Sequence, residues 1–75
     1  MIDMAKLIEL ITLSEVLDDM SQFDPDKTFV ENGIDSLDLM TVYIKIEDQL
    51  GITFDNSEVS KITSAREMLA AINTR

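Results

Sequence analysis

The residues best placed to do chemistry in this chain are Gly33-Ile34-Asp35-Ser36-Leu37, a pentapeptide that sets one serine at the mouth of an acidic, amphipathic helix. A serine that attacks a substrate needs a base beside it, most often an imidazole. The sequence contains no histidine and no cysteine. Ser36 is therefore a poor nucleophile and a better place for a group to be attached by other machinery. Taken alone, a serine at a helix start is an ordinary cap-region residue. Its neighbours give it more meaning.

The helix that would hold it runs from about Ser36 to Leu50. Asp35 suits the N-cap, Asp38 in the first turn favours the helix dipole, and Gly51 stops the helix. Leu39, Met40, Tyr43, Ile46 and Leu50 are expected to share its core face. A different stripe is formed by Leu37, Thr41, Ile44 and Asp48, at i, i+4, i+7 and i+11 spacing. It begins one residue after the serine and is flanked by Asp38 and Glu47. Scattered exposed apolar residues are normal. Aligned with the serine and bordered by carboxylates, these read as a docking face for enzymes with basic patches.

The remaining periodicities are helical too, and no stretch reads convincingly as a strand. Residues 3 to about 19 are rich in helix formers. Met4, Leu7, Ile8 and Ile11 make one apolar stripe; Leu10, Leu13, Leu17 and Met20 make a second on roughly the opposite face. Either this helix is covered on much of its circumference or it breaks near Thr12 to Ser14. The preferred reading is one helix buried mainly through the second stripe and Leu7. Residues 21 to 35 read as a long loop, with turn chemistry at Asp24-Pro25-Asp26 and with Phe23 and Phe29 pinning it to the core. Gly33 supplies a backbone bend before the next helix. A short helical turn is expected around Asn56 to Ser60. The last helix starts near Ser64, which makes a capping-box pattern with Glu67, and buries Ala65, Met68, Leu69 and Ile72. The fold class is all-α: one small domain over residues 1–75, a three- to four-helix bundle with a long first connection.

Composition narrows the function. Fifteen acidic residues against six basic ones give a net charge of −9. Such a chain repels the phosphates of nucleic acid and anionic membranes. It attracts partners with basic patches and speeds those encounters; plain solubility is the blander use of the same charge. Without Cys or His, a disulfide is excluded and zinc is disfavoured. Asp24, Asp26, Thr28 and Asp35 match positions 1, 3, 5 and 12 of a calcium loop, but Phe29 stands where an EF-hand needs glycine, so no metal site is assigned. Weak binding of divalent cations to the acidic surface is expected. There is no bilayer-length apolar run, and the opening Met1-Ile2-Asp3-Met4-Ala5-Lys6 lacks a signal-peptide pattern. A cytoplasmic monomer is expected.

Gly33-Ile34-Asp35-Ser36-Leu37-Asp38 resembles the Gly-x-Asp-Ser-Leu segment that opens the acidic second helix of the acyl carrier protein family. The likeness continues in Phe29 and Glu31 upstream, in the Glu47-Asp48 pair, and in Lys61-Ile62-Thr63 before the last helix. It covers nearly the whole chain and is most specific over residues 29 to 63. It implies 4′-phosphopantetheine joined to Ser36 by a phosphodiester, with Asp35 and Leu37 beside it, an acyl cargo held as a thioester, and partial shelter of that cargo between helices. It implies a protein that is not an enzyme. Its partners would be a phosphopantetheinyl transferase and the enzymes that load and process the acyl group in fatty-acid or polyketide-type synthesis. A peptidyl or aminoacyl carrier of the same fold and, further off, an acidic helical interaction module with an unmodified serine are the alternatives. Three departures from the family pattern, Asn32 for leucine, Thr41 for glutamate and Lys45 within the acidic helix, point to a carrier dedicated to a specialised pathway.

Overall fold

The computed structural model describes residues 2–75; Met1 of the opening stretch lies outside them. Four helices follow in order: α1 (Met4–Leu13), α2 (Ser36–Leu50), α3 (Asn56–Lys61) and α4 (Ala65–Asn73). Among the described residues, the sole extended pairing is an isolated antiparallel bridge between Thr28 and Ser64.

Each helix starts at a side chain that can accept from the orphan N–H groups of a first turn. Asp3, Asp35, Asp55 and Ser64 accept from the N–H groups of Lys6, Asp38, Glu58 and Glu67. The reciprocal capping box is found at Asp55 and Glu58. At α4 only half of the expected box forms. Ser64 Oγ accepts from the Glu67 N–H at 3.2 Å, but the Glu67 carboxylate turns to the N–H and hydroxyl of Thr63 at 2.7 and 2.6 Å. The Ser57 hydroxyl, and after it the Glu58 N–H, hold the Asp55 carboxyl below its ordinary value of 3.8, and the Thr63 hydroxyl and N–H hold that of Glu67 below 4.5. A depressed folded-state pKa means stability that is complete above the unfolded value and lost as pH falls through the folded one. Thermal stability should therefore decline as pH drops below about 4.5, and Asp55→Asn with Glu67→Gln should flatten that decline. A double variant that keeps the full acid slope would refute the assignment.

α1 is shorter than its composition predicts. Thr12 Oγ1 donates to the Ile8 carbonyl at 2.8 Å and Ser14 Oγ to the Leu10 carbonyl at 2.9 Å. Such back-bonding competes with helix continuation. Glu15 then turns to φ 57°, a left-handed conformation that ends the helix. The break lies at the Thr12–Ser14 boundary, and a single helix to residue 19 is ruled out. The buried face combines Leu7, Leu10 and Ile11, while Leu13 stays about half exposed. Val16, Leu17 and Met20 still reach the core, from irregular chain.

α1 packs against both α2 and α4. α2 contributes Val42, Tyr43 and Ile46, and α4 contributes Ala65, Met68 and Ile72. The loops supply Phe29, Ile34 and Ile62. Each fully buried large side chain stabilises the fold by about 1.5–3 kcal/mol relative to exposure. α3 has no buried residue and is moored instead by polar and aromatic contacts. Glu47 Oε2 accepts from the Phe54 N–H at 2.9 Å, Tyr43 meets Phe54 edge-on at 4.9 Å, and Arg75 lies over the Phe54 ring while pairing with Glu58 at 2.7 Å. The two chain ends are tied by Asn73, whose amide accepts from the Ile2 N–H and donates to the Ile2 carbonyl, both at 2.9 Å.

Candidate attachment and docking site

Four devices place the serine. Phe29 anchors the loop: its ring is buried and its N–H donates to the Thr63 carbonyl at 2.8 Å. Asn32 stitches the loop to itself. Its side-chain carbonyl accepts from the Asp24 N–H at 2.8 Å, and its amide donates to the carbonyls of Asp24 and Thr28 at 2.9 and 3.0 Å. A leucine could make none of these bonds. Glu31 closes the same turn, accepting from the Thr28 N–H at 2.8 Å, and this bond lowers its pKa. Gly33 then takes φ +88°, which a side-chain-bearing residue rarely adopts.

The chain next buries Ile34, sets Asp35 as N-cap with Oδ1 2.8 Å from the Asp38 nitrogen, and leaves Ser36 exposed as the first residue of α2. Ile34 is thus an internal anchor in the motif. The alternation of buried Ile34 and exposed Asp35–Leu37 fixes which side of the loop the serine occupies. The helix does not pair the N–H groups of Ser36 and Leu37, which suits an anion at this end of a fifteen-residue helix.

Beside Ser36 a cleft of about 280 Å³ opens into the bundle. Phe29, Val30 and Ile34 line it from the loop, Asp35, Ser36 and Leu39 from α2, and Ile62 from the segment after α3. The walls are mostly apolar, so the cleft can take the apolar part of a chain tethered at the serine.

The exposed face of α2 runs away from the cleft. Leu37 and Ile44 are 79% and 62% exposed, with Thr41 and Asp48 also in solvent. Met40 joins them at 52% exposure, so its assignment to the core is corrected. Val42, fully buried, is the core residue of α2 that the sequence reading missed. The signal was present in the spacing. Leu39, Val42, Tyr43, Ile46 and Leu50 follow i, i+3, i+4, i+7 and i+11, while Leu37, Met40, Thr41, Ile44 and Asp48 repeat that pattern two residues earlier. Leu39 and Leu50 are half-buried. Glu47 sits off the stripe, where its carboxylate is engaged by the Phe54 N–H. The three ion pairs among the described residues, Lys6–Glu9, Asp26–Arg66 and Glu58–Arg75, all lie outside α2, so Asp38 and Asp48 remain available to a partner. No group of three or more ligating side chains gathers a metal among the described residues, which leaves the expected divalent binding without a specific site.

A family model described as the phosphopantetheine attachment site matches residues 2–72. The chain belongs to the acyl carrier protein family. An acyl carrier protein of Nitratidesulfovibrio vulgaris is 35% identical over 52 residues, spanning 68% of each chain. One from Exiguobacterium is 29% identical over 58 residues, or 76% of this chain and 73% of that one. The mitochondrial acyl carrier protein of Dictyostelium discoideum is 39% identical over 46 residues, covering 61% of this chain and only 38% of the longer relative. No solved structure matches the chain at a comparable level. Acyl carrier proteins are carriers, not catalysts, and their family domain is the attachment site of phosphopantetheine. An exposed serine with no histidine in the whole chain fits that role.

Proposed function

We propose that Ser36 bears the 4′-phosphopantetheine arm, through which the protein holds acyl intermediates as thioesters for separate enzymes of fatty-acid or polyketide-type synthesis. One observation carries this reading: Ser36 is exposed at the N-terminus of α2 and at the same time lines the mouth of an apolar cleft. The helix start favours the phosphate of the arm. The arm supplies a thiol to a chain that has no cysteine. The cleft offers partial cover to whatever the thiol carries. Incubation with coenzyme A, Mg²⁺ and a broad-specificity phosphopantetheinyl transferase should add the mass of one arm and one free thiol. A chain left unmodified by several such transferases would favour an acidic interaction module instead.

Partner enzymes then dock on the face made by Leu37, Met40, Thr41 and Ile44, steered by Asp38 and Asp48. Peripheral charges act mainly on association rate. Asp48→Lys should slow association with the loading enzyme more than it speeds dissociation, and the wild-type rate should fall with added salt. Stopped-flow association that is insensitive to salt would refute electrostatic steering. Lys45 supplies the lone positive charge of α2 and separates this face from an all-acidic one; it supports a carrier matched to a restricted set of partners.

A further inference from the structure

Among the described residues, Tyr43 carries the one buried side-chain polar atom that the fold leaves unpaired. Its side chain is 3% exposed, and its hydroxyl is buried without a hydrogen-bond partner among the described residues. Phenylalanine would fill the same space and meet Phe54 equally well. A buried, unpaired donor costs stability, and native interiors hold few of them. Such a group points to a partner that arrives from outside.

The position of Tyr43 indicates where that partner comes from. The cleft starts at Ser36, and on the α2 side its wall ends at Leu39. Tyr43 follows Leu39 by four residues and therefore continues the same helix face one turn deeper. Ser36 and Tyr43 are seven residues apart, about 10 Å along the helix axis. Beside the phenol lies α3, whose Glu58 charge acts on it and which has no fully buried residue. Ile62 closes the cleft on that side, and Val59, one turn earlier, is half-buried against the core.

Resting on the assignment of the arm to Ser36, we propose that Tyr43 is a specificity-determining residue whose hydroxyl donates a hydrogen bond to a hydroxyl or keto oxygen on the tethered acyl chain, so that the protein shelters oxygenated chains in preference to saturated ones. The phenol is suited to donate. Burial, with a smaller contribution from the nearby Glu58 charge, pushes its pKa up to about 12, so it keeps its proton across the working pH range. A saturated chain in the same place would leave the donor unpaired. An oxygenated chain would have its own desolvation offset by the new bond. The amide groups of the arm have acceptor oxygens as well, and the experiment distinguishes that source from the cargo.

Tyr43 is the sole tyrosine of a chain without tryptophan, so near-ultraviolet absorbance reports on this hydroxyl alone. Wild-type protein would be compared in four forms: carrying the arm without cargo, and loaded with octanoyl, β-hydroxyoctanoyl or β-ketooctanoyl groups from the corresponding coenzyme A thioesters. The tyrosine band should shift to longer wavelength with the two oxygenated cargoes and stay in place with octanoyl. In parallel, hydroxylamine cleavage of the thioester should be slower for the oxygenated cargoes than for octanoyl. Tyr43→Phe should reduce that preference about three- to tenfold, the range of one hydrogen bond, with cleavage of the octanoyl form little changed. A shift already complete with the bare arm would assign the bond to the arm and overturn the cargo proposal. Identical spectra for all loaded forms, or an unchanged preference in Tyr43→Phe, would also overturn it while leaving the attachment at Ser36 intact. Failure to load Ser36 at all would be visible by mass and would remove the attachment reading first.

Discussion

Ser36→Ala should abolish arm attachment completely while leaving the protein folded. The wild-type chain should gain one arm and one thiol, and the variant neither. The fold should tolerate the change because Ser36 is exposed and the capping of α2 is performed by Asp35, not by the serine. Its cost should lie within about 0.5 kcal/mol, as for other surface substitutions. The remaining serines are poor substitutes for identifiable reasons. Ser14 and Ser64 are buried. The Ser57 hydroxyl is bonded to Asp55 at 2.7 Å and that of Ser60 to the Ser57 carbonyl at 3.0 Å, both on the six-residue α3. Ser21 is exposed but sits in irregular chain with no helix behind it to receive a phosphate. Because the polypeptide has no cysteine, a colorimetric thiol assay reads the arm without background. Persistent modification of Ser36→Ala would move the attachment site elsewhere.

The second large effect is a contrast between two apolar residues close in sequence. Phe29→Ala should leave little folded protein, whereas Leu37→Ala should be nearly silent in stability and damaging to partner binding. A chain of 75 residues has a total stability of about 4–11 kcal/mol on the usual per-residue scale. Removing a buried phenylalanine ring costs about 3–5 kcal/mol in lost transfer energy and residual cavity. Phe29 is fully buried and fastens the loop before the motif to Thr63, so its loss also loosens the ground on which Ser36 stands. Leu37 has no burial to lose; its truncation should cost within about 0.5 kcal/mol. Urea unfolding followed by circular dichroism separates the two. A loss of several kcal/mol in Leu37→Ala would place that residue in the core and remove the docking face.

The sequence by itself determined the elements whose causes are local. The start of α2 was legible because Asp35 caps it through a bond three residues away, and its end because Gly51 takes φ 68° and returns its N–H to Glu47. The turn at Asp24-Pro25-Asp26 was legible for the same reason: the Asp26 N–H bonds the Asp24 carboxylate two residues back. The candidate serine was legible from the Gly33–Asp38 motif and the family resemblance it carries, while the absence of histidine removed only the nucleophile role. Tertiary structure decided everything that depends on which surface meets which. The length of α1 was undetermined because two apolar stripes allowed two outcomes, and local back-bonding by Thr12 and Ser14 together with packing of Val16, Leu17 and Met20 from irregular chain selected the shorter helix. Met40 and Val42 exchanged places: the i, i+3, i+4 spacing from Leu39 already favoured Val42, and the packing of α2 against α1 fixed that phase. The role of Asn32 required Asp24 and Thr28 to be folded onto it. The cleft beside Ser36 was invisible beforehand because its walls come from three separate segments, the 28–34 loop, the first turn of α2 and residues 62–63, and a space between segments exists only once their packing is fixed.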